Sequence, residues 1–345
     1  MLKVDDRPSN GQVLGIGIAG LGQLSREVHL PILATIPGIR IHAIADPDPG
    51  AIERCKHLAR GAQCYSSLEG LLEDDSVHAV LVASPTAEHA VQARRVLAAG
   101  KALYLEKPLA STLAEGTELL KWAAAARRPV MIGFNYRFHP LVARARHLAA
   151  AHPFCRARSV FSIAPRPLPG WKQKRSSGGG VLLDLGSHHF DLLRFLLNAE
   201  VVTVNARVWS ERTEDDCCEV KLDFDNGAQA QGLYSFCRTE EDVLAMTGSH
   251  GGIEINRYAP LGFPFWPLGD LLSYQLERRR SPWREVSFRR SLQAWIDCVR
   301  SGSTPPVTVH DGLASLRVVA AAEESTRTGG PVPLLQPTLS AKEVG

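Results

Sequence analysis

Apolar runs alternate with longer amphipathic stretches along the first 130 residues of the chain. The runs lie at 13–20, 40–46, 77–84, 101–107 and 129–135, with a shorter one at 63–65. They are nearly continuous, which is typical of strands that are buried on both faces. Helical patterns separate most of them, and this order predicts βαβ units. The first part of the chain is therefore predicted to form a doubly wound parallel sheet with helices on both faces.

After residue 150 the pattern changes to short strand-like segments separated by turns. Asp225-Asn226-Gly227 is a hairpin signal between two of them, so this part is predicted to form an antiparallel sheet. Helices are expected around 187–197 and 291–300, and a last helix over 312–326 with Asp311 as its N-cap. The predicted fold is an α/β domain over residues 1–130, followed over residues 131–345 by an α+β domain built on a large, mostly antiparallel open sheet.

The length of 345 residues suits two domains, and composition narrows the class of partner. Lys and Arg total 39 against 36 Asp and Glu, a balance that does not indicate nucleic acid. No apolar run is long enough for a membrane span, and the N-terminus carries acids where a signal peptide would be basic and then apolar. Seven cysteines without a CxxC motif indicate reduced thiols. These features predict a cytoplasmic protein with neither nucleic acid nor membrane as a partner, and composition alone names no function.

A glycine-rich turn, Gly20-Leu21-Gly22-Gln23-Leu24-Ser25, follows the first predicted strand and opens a helix. Gly20 permits the tight turn, and Gly22 lets the backbone approach a pyrophosphate at the amides of the helix N-terminus. Ser25 stands where the dinucleotide fingerprint has glycine or alanine, so the motif is incomplete. By itself the turn is also compatible with a plain tight turn.

Asp46 strengthens the interpretation of this turn as a dinucleotide site, because it ends the second predicted strand. A carboxylate at this position accepts hydrogen bonds from the adenosine ribose hydroxyls and repels a 2′-phosphate. No basic residue follows Asp46 directly, which favours NAD over NADP. Arg26 keeps NADP open as an alternative.

Glu106-Lys107-Pro108 stands at the carboxyl end of another predicted strand. Ligands of open parallel sheets bind at this edge. The ammonium of Lys107 could stabilise the negative charge that develops on a substrate oxygen during oxidation. The alternative is an ordinary surface lysine before a proline turn.

A second cluster of candidate catalytic residues lies in the segment 178–191. If a helix begins near Asp184, then Asp184, His188 and Asp191 share one face. A carboxylate in reach of a histidine can hold it in one tautomer and tune it as a proton acceptor. The alternative is a capping Asp and a core or surface His. His189 points away from His188 and is interpreted as structural; because two adjacent histidines cannot face one ion on a regular helix, no metal is expected here.

Together these segments resemble the Gfo/Idh/MocA oxidoreductases, the family of glucose–fructose oxidoreductase and inositol dehydrogenase. The segments that carry the resemblance are GLGQLS at 20–25, ASPTAEH at 83–89, AGKALYLEKPLA at 99–110, GFNYRFHP at 133–140, GGGVLLDLGSHHFD at 178–191 and the stretch 307–332. The resemblance implies a Rossmann domain over 1–130 and a substrate-binding and oligomerisation domain over 131–345. It also implies that Lys107, Asp184 and His188 are catalytic.

The resemblance further implies which residues hold cofactor and substrate. The residues expected to contact NAD are Gly20, Gly22, Gln23, Leu24, Asp46, Ser84, Pro85, His89, Glu106 and Lys107. The residues expected to contact substrate are Lys107, Asn135, Arg137, Trp171, Asp184, His188 and Asp191. Of these, Asn135, Arg137 and Trp171, together with Lys172, are chosen because they lie in loops expected to face the cleft, and polar and aromatic groups of this kind suit a polyhydroxylated ring. The alternative for these four is an ordinary surface or packing role. Thr86 and Ser25 depart from the family pattern at cofactor contacts. The aromatic segment at 258–266 is interpreted as a lid, a subunit contact or packing beneath the sheet.

The predicted function is NAD(P)-dependent interconversion of a secondary alcohol and a ketone on a sugar, cyclitol or sugar derivative. Two alternatives remain open: an NAD-dependent glycoside hydrolase of the same family, and a non-catalytic regulator that senses nicotinamide. Family members pair through the sheet of the second domain, so a homodimer or homotetramer is expected.

Overall fold

The computed structural model describes residues 13–257 and 268–334, which fall into two compact units. Unit 1 contains the described residues of Met1–Ala143, Ser176–Gly179 and Phe265–Leu316, and unit 2 contains those of Arg144–Arg175, Gly180–Pro264 and Arg317–Gly345. Each unit is therefore assembled from three separate stretches of chain. The predicted domain boundary at residue 130 stays a prediction.

Unit 1 is built on a six-stranded parallel sheet in the order β3-β2-β1-β4-β5-β6. The strands are β1 (Leu14–Ala19), β2 (Ile39–Ala45), β3 (Gln63–Tyr65), β4 (Ala79–Val82), β5 (Ala102–Leu105) and β6 (Val130–Ile132). Every residue of β1, β4 and β5 is buried, as the continuous apolar runs predicted. The strand order reverses between β1 and β4, which is the switch point where such sheets bind ligands.

Helices connect these strands, and polar residues at their first turns help to begin them. Their bounds are α1 (Leu30–Leu33, preceded by a π-helical turn Ser25–His29), α2 (Pro49–Cys55), α3 (Leu68–Leu72), α4 (Thr86–Ala98) and α5 (Leu113–Ala125). The Asp48 side chain accepts the Gly50 amide 2.8 Å away and caps α2. Thr112 and Glu115 form a capping box at the start of α5.

Unit 2 is built on a seven-stranded sheet in the order β12-β11-β7-β10-β9-β8-β13. The strands are β7 (Phe154–Ser162), β8 (Val201–Trp209), β9 (Cys217–Phe224), β10 (Gln229–Ser235), β11 (Glu241–Gly248), β12 (Gly251–Asn256) and β13 (Val332–Pro333). Neighbours run antiparallel except β10 and β7, which are parallel. The predicted fold class, with its mostly antiparallel second sheet, is confirmed.

The remaining helices are α6 (Pro140–Ala151), α7 (Ser187–Leu197), α8 (Leu268–Arg280), α9 (Ser287–Ser301) and α10 (Val309–Thr328). In unit 1, the buried Trp295 of α9 packs edge-on against the buried Tyr104 of β5, with ring centroids 5.5 Å apart. The Tyr104 hydroxyl also lies 3.0 Å from Ser291 Oγ. These contacts explain why a late stretch of the chain belongs to the unit of the parallel sheet.

Two details of the helices differ from the sequence predictions. The prediction of Asp311 as an N-cap was wrong: α10 begins at Val309, and Asp311 lies inside its first turn, where its carboxylate accepts the Thr308 amide at 2.8 Å. Helices α3, α6 and α8 were not predicted. The aromatic segment at 258–266 lies outside the described residues. Among the helices that the structure describes, none has the length and apolar character of a membrane span.

Candidate active site

The predicted catalytic residues belong to different compact units. Lys107 and the glycine-rich turn lie in unit 1, whereas Asp184, His188 and Asp191 lie in unit 2.

The glycine-rich turn connects β1 to the first helix, and its two glycines have different surroundings. Gly20 has a φ of +87°, and a Cβ on it would come within 2.7 Å of the backbone of Ala83 and Ser84 at the end of β4. By contrast, no heavy atom lies within 4 Å of the position that a Cβ on Gly22 would take. The structure therefore requires glycine at position 20 for packing, while the backbone at Gly22 stays open to a ligand. This arrangement fits the pyrophosphate of a dinucleotide.

Ser25, which departs from the dinucleotide fingerprint, stabilises the turn itself. Its hydroxyl is buried and donates to the Gly20 carbonyl across 2.6 Å. Gln23 and Leu24 begin the helix. The exposed side-chain amide of Gln23 donates from Nε2 to Oε2 of Glu27 at 3.0 Å. The first amides of a helix have no intrahelical acceptor and are available to an anion. The serine therefore replaces a small apolar residue without disturbing the turn.

Asp46 follows β2 and reaches back to the glycine-rich turn. Its Oδ2 accepts the Leu21 amide at 2.7 Å, and its Oδ1 accepts the Asp48 amide at 2.9 Å. Each carboxylate oxygen keeps a further lone pair for a ribose hydroxyl. Arg26, the residue that left NADP open, pairs with Glu27 at 2.8 Å.

The end of β4 presents Ser84 and Pro85, and Pro85 occupies the N-cap position of α4. His89 is buried beneath them, with Nε2 3.0 Å from the Ser84 carbonyl and Nδ1 2.7 Å from the Pro108 carbonyl. Burial lowers the pKa of His89, although the two carbonyls favour the protonated form. Because a neutral imidazole has one N–H, it can donate to only one of these carbonyls at a time. His89 thus joins the strand ends that carry Ser84 and Lys107.

Lys107 lies directly after β5, and its neighbour Glu106 is buried. The Lys107 amide donates to Glu106 Oε2 at 3.2 Å. On the other side, Glu106 Oε1 lies 3.0 Å from Nε2 of His29, and both side chains are almost wholly enclosed. Sequence reasoning missed His29, because nothing in its local pattern distinguishes it from a residue of a buried helix face.

Asn135 and Arg137 were predicted to contact substrate, and both have partners within unit 1. Asn135 is buried and donates from Nδ2 to Ser287 Oγ at 2.7 Å. Arg137 pairs with Asp311 at 2.8 Å. Burial alone would raise the pKa of Asp311, but the charge of Arg137 and the hydrogen bonds from Thr308 leave that pKa below its ordinary value. Contact of Asn135 and Arg137 with substrate stays a prediction.

In unit 2, Asp184 lies in a π-helical turn, Leu182–Gly186, that runs directly into α7. Its Oδ2 lies 2.7 Å from Nζ of Lys172, which also lies 5.4 Å from the ring centre of Trp171. Gly180, with a φ of +93°, turns the chain back so that its amide donates to the Lys172 carbonyl at 3.3 Å. The structure thus brings the predicted pocket residues Trp171 and Asp184 close to one lysine.

His188 lies on α7 and is 7% exposed, so its imidazole is largely shielded from solvent. The ring of Phe161 on β7 lies 6.3 Å from the His188 ring. Asp191, one turn further along α7, is buried, and its Oδ1 lies 3.9 Å from Arg194. Their predicted catalytic and pocket roles stay predictions, but the helix that carries both residues is the one expected.

A buried polar network surrounds His189, the neighbour of the predicted catalytic histidine. Nδ1 of His189 lies 2.7 Å from Ser159 Oγ, which in turn lies 2.9 Å from the Tyr234 hydroxyl. Nε2 of His189 lies 3.2 Å from Asp242, and Asp242 also pairs with Arg257 at very short range.

Phe161 stacks on the His189 ring at 5.2 Å, so it contacts both histidines of the pair. Burial alone would raise the pKa of Asp242, but the charges of Arg257 and His189 hold that pKa below its ordinary value. The interpretation of His189 as structural agrees with this setting. The sequence shows that two histidines are adjacent, but it does not show the hydrogen-bond partners of His189.

Comparison with known proteins places both parts of the chain in one family. The model for the "Oxidoreductase family, NAD-binding Rossmann fold" matches residues 14–134. The model for the "Oxidoreductase family, C-terminal alpha/beta domain" matches residues 152–334.

Relatives and solved structures agree with these matches over nearly the whole length. The chain is 29% identical to inositol 2-dehydrogenase 2 of Saccharopolyspora erythraea over 335 residues, covering 93% of this chain and 95% of the relative. It is 26% identical to scyllo-inositol 2-dehydrogenase (NAD(+)) of Bacillus subtilis, covering 92% and 95%. The structure of aldose-aldose oxidoreductase from Caulobacter crescentus, complexed with glycerol, superposes with a TM-score of 0.81 at 25% identity, covering 94% of this chain and 100% of the other. The chain therefore belongs to the Gfo/Idh/MocA family of oxidoreductases, with the family's NAD-binding domain in its first part and the C-terminal α/β domain in its second.

Proposed function

We propose that the protein interconverts a secondary alcohol and a ketone on a sugar, a cyclitol or a related polyol, with NAD as the cofactor. The observation that carries this proposal is the position of Lys107 directly after β5, at the ligand-binding edge of the parallel sheet in a chain of this family. The relatives named inositol 2-dehydrogenase support a polyol as the substrate class.

In this proposal His188, Asp184 and Lys107 act on the substrate hydroxyl. An imidazole nitrogen of His188 takes the hydroxyl proton in oxidation and returns it in reduction. Asp184 orients the imidazole and stabilises its cation, and Lys107 donates a hydrogen bond to the substrate oxygen. When bound, the nicotinamide supplies the hydride acceptor or donor. Asp191, Asn135, Arg137 and Trp171 supply further substrate contacts, with the half-buried Trp171 ring suited to the C–H faces of a sugar.

Selection of NAD over NADP is assigned to Asp46. Its carboxylate is held by the amides of Leu21 and Asp48, so it cannot swing away from a 2′-phosphate without losing two hydrogen bonds. The basic candidate that the sequence offered, Arg26, already pairs with Glu27. We therefore expect kcat/KM to be higher with NAD than with NADP, and preference for NADP would contradict the role of Asp46.

The test is NAD(P)H absorbance with a panel of inositols, aldoses and nucleotide sugars, in both directions and with both cofactors. We expect turnover of at least one of these, and His188→Ala should lower kcat about 100- to 10,000-fold while the Kd for NAD changes only a few-fold. His147→Ala, at an exposed position of α6, is the matched control and should leave kcat unchanged.

Near-normal turnover by His188→Ala would overturn the assignment of the base. Release of free sugar from an aryl glycoside without net NADH would instead indicate a hydrolase. Tight NAD binding without turnover of the whole panel would indicate a regulator.

We also propose that the chain forms a homodimer or homotetramer through the sheet of unit 2 and works in the cytoplasm. Strands β9 and β10 alternate buried and more exposed residues, so one face of this sheet is available for a second copy. All seven cysteines are free thiols, which suits a reducing compartment. Light scattering coupled to size exclusion tests the oligomer, and cell fractionation tests the compartment.

A further inference from the structure

Two thiols and one carboxylate meet in unit 2, among residues that the proposed reaction does not use. Sγ of Cys217 lies 3.2 Å from Sγ of Cys237, and Cys237 Sγ lies 3.4 Å from Oε2 of Glu211. The ligand atoms of all three residues lie within 4.8 Å of one another. Within 13–257 and 268–334, no other group of three or more His, Cys, Asp or Glu side chains meets this criterion.

The positions of the two thiols follow from strand pairing. Cys217 is the first residue of β9 and pairs with Ser235, the last residue of β10. Ser235 Oγ lies 3.2 Å from the Cys217 sulfur and 3.3 Å from the Cys237 sulfur, and it accepts the Cys237 amide at 3.1 Å. Both sulfurs are therefore held by the end of one hairpin.

The loop that carries Glu211 is fixed by a neighbouring carboxylate. Asp216 accepts the backbone amides of Glu211, Arg212 and Thr213 at 2.8, 2.7 and 2.8 Å. These three hydrogen bonds to the Asp216 side chain hold the loop beside Cys217, the first residue of β9. Glu211 is thus placed by the backbone and not only by its flexible side chain.

The Glu211 carboxylate is also oriented, because its two oxygens have different partners. Oε1 accepts hydrogen bonds from Trp209 Nε1 at 2.9 Å and from Arg238 at 3.0 Å. Oε2 faces the sulfur of Cys237. Outer partners that hold one oxygen and aim the other at the donor cluster are characteristic of carboxylates that bind metals.

The spacing of the donor atoms is close to that of a tetrahedral zinc site. Zn–S bonds of about 2.3 Å and a Zn–O bond of about 2.1 Å place two sulfurs roughly 3.8 Å apart, and a sulfur and an oxygen roughly 3.6 Å apart. The observed separations of 3.2 and 3.4 Å are shorter than these ideal values by roughly 0.6 and 0.2 Å.

Charge also balances in such a site. Two thiolates and the Glu211 carboxylate would carry three negative charges, which Arg238 and one divalent cation neutralise. Binding releases the two thiol protons, as thiolate coordination requires.

We propose that Glu211, Cys217 and Cys237 bind a thiophilic divalent cation, Zn²⁺ above all, with water as the fourth ligand. The ion would join the loop before β9 to the end of the β9–β10 hairpin and so stabilise unit 2. No metal was predicted at the adjacent residues His188 and His189, and the site proposed here uses different residues. It has no CxxC signature because the hairpin, and not local spacing, brings its ligands together. The proposal does not depend on the proposed function.

The test uses full-length protein that has been reduced and treated with a chelator, and then titrated with Cd²⁺ or Zn²⁺. We expect one equivalent of Cd²⁺ to bind, with thiolate-to-Cd²⁺ absorbance in the ultraviolet, and Zn²⁺ to displace it. Cys217→Ser and Cys237→Ser should each abolish this absorbance, and Glu211→Gln should weaken binding at least tenfold. The matched control replaces the exposed thiols, Cys64→Ser with Cys155→Ser, and should bind as wild type does.

Because Cys217 is buried, its variant could fail to fold, and the half-exposed Cys237 provides the second measurement. Zn²⁺ should raise the Tm of the wild-type protein and leave the Tm of Cys237→Ser unchanged. Failure of the reduced wild-type protein to bind one equivalent overturns the proposal, including the case where the two sulfurs are recovered as a disulfide. Binding that persists in Cys237→Ser, or that is lost in the exposed-thiol control, overturns it as well.

Discussion

The ammonium nitrogen of Lys172 lies 2.7 Å from Oδ2 of Asp184, so the carboxylate proposed to orient the catalytic histidine is itself part of an ion pair. Both side chains are partly exposed, at 27% for the lysine and 16% for the aspartate. The turn at Gly180 holds the backbone of the two segments together. Lys172 therefore holds the Asp184 carboxylate in its observed position through this ion pair.

Removal of the Lys172 charge is expected to lower turnover. Lys172→Met keeps the length of the side chain, and loss of a hydrogen bond between charged groups costs about 1.5–3 kcal/mol. We expect kcat to fall about tenfold or more and Lys172→Arg to restore part of it. Steady-state kinetics with the best substrate of the panel measures both. Lys174→Met, on the same segment but exposed, is the control, and an equal loss in both methionine variants would contradict the role of Lys172.

The two glycines of the dinucleotide turn should respond differently to alanine. In Gly20→Ala, alanine would have to adopt the left-handed backbone conformation of Gly20, and its Cβ would clash with Ala83. This substitution should therefore lower the Tm. Gly22→Ala meets no protein atom, so its Tm should stay within about 2 °C of wild type. Its Cβ would instead occupy the approach to the pyrophosphate, and the Kd for NAD should rise about tenfold or more. Calorimetry of folding and of NAD binding separates the two effects, and unchanged NAD affinity in Gly22→Ala would refute this assignment of the turn.

Asp242 should contribute to stability in a pH-dependent way. Because the charges of Arg257 and His189 keep its pKa below the ordinary value, its contribution is present above the unfolded-state pKa of about 3.9 and is lost as pH falls through the lower folded-state pKa. Asp242→Asn should therefore lower the free energy of unfolding by about 3–5 kcal/mol at neutral pH. The difference from wild type should shrink below about pH 4. Urea denaturation at several pH values checks this.

Glu219→Gln, at an exposed position of β9, is the control for Asp242→Asn and should change the unfolding free energy by about 0.5 kcal/mol or less. A loss in Asp242→Asn that stays constant from pH 7 to pH 3 would contradict the ionised state of Asp242.

His29 and Glu106 should be energetically coupled. Nε2 of His29 and Oε1 of Glu106 are 3.0 Å apart and shielded from water, although their angles are not those of a hydrogen bond; loss of either partner leaves the other as a buried polar group without this contact. We expect His29→Phe and Glu106→Gln each to lower the free energy of unfolding by more than about 1 kcal/mol. The double variant should lose less than the sum, with a coupling of about 0.5–3 kcal/mol. Additive losses in this double-mutant cycle would show that the two residues do not interact.

Much of unit 1 could be predicted because its strands are continuous apolar runs and its glycine turn and Asp46 stand at strand ends. The strand β3 (Gln63–Tyr65) agrees with its prediction, and β1 and β2 agree to within a residue at each end. In unit 2, α7 (Ser187–Leu197) also agrees with its prediction. Three helices were missed: the short α3 between β3 and β4, α6 at the boundary of the two patterns, and α8, whose last turn is strongly basic.

The sequence by itself determined the fold class, and it indicated the candidate cofactor turn and the candidate residues Lys107, Asp184 and His188, because periodicity and motif spacing are local properties of the chain. Only the tertiary structure decided the partners of those residues. His189 and Asp242 are 53 residues apart, and Cys217 and Cys237 are joined by a hairpin. Strand order and register bring such residues together, and these depend on the packing of the whole sheet and not on any single segment.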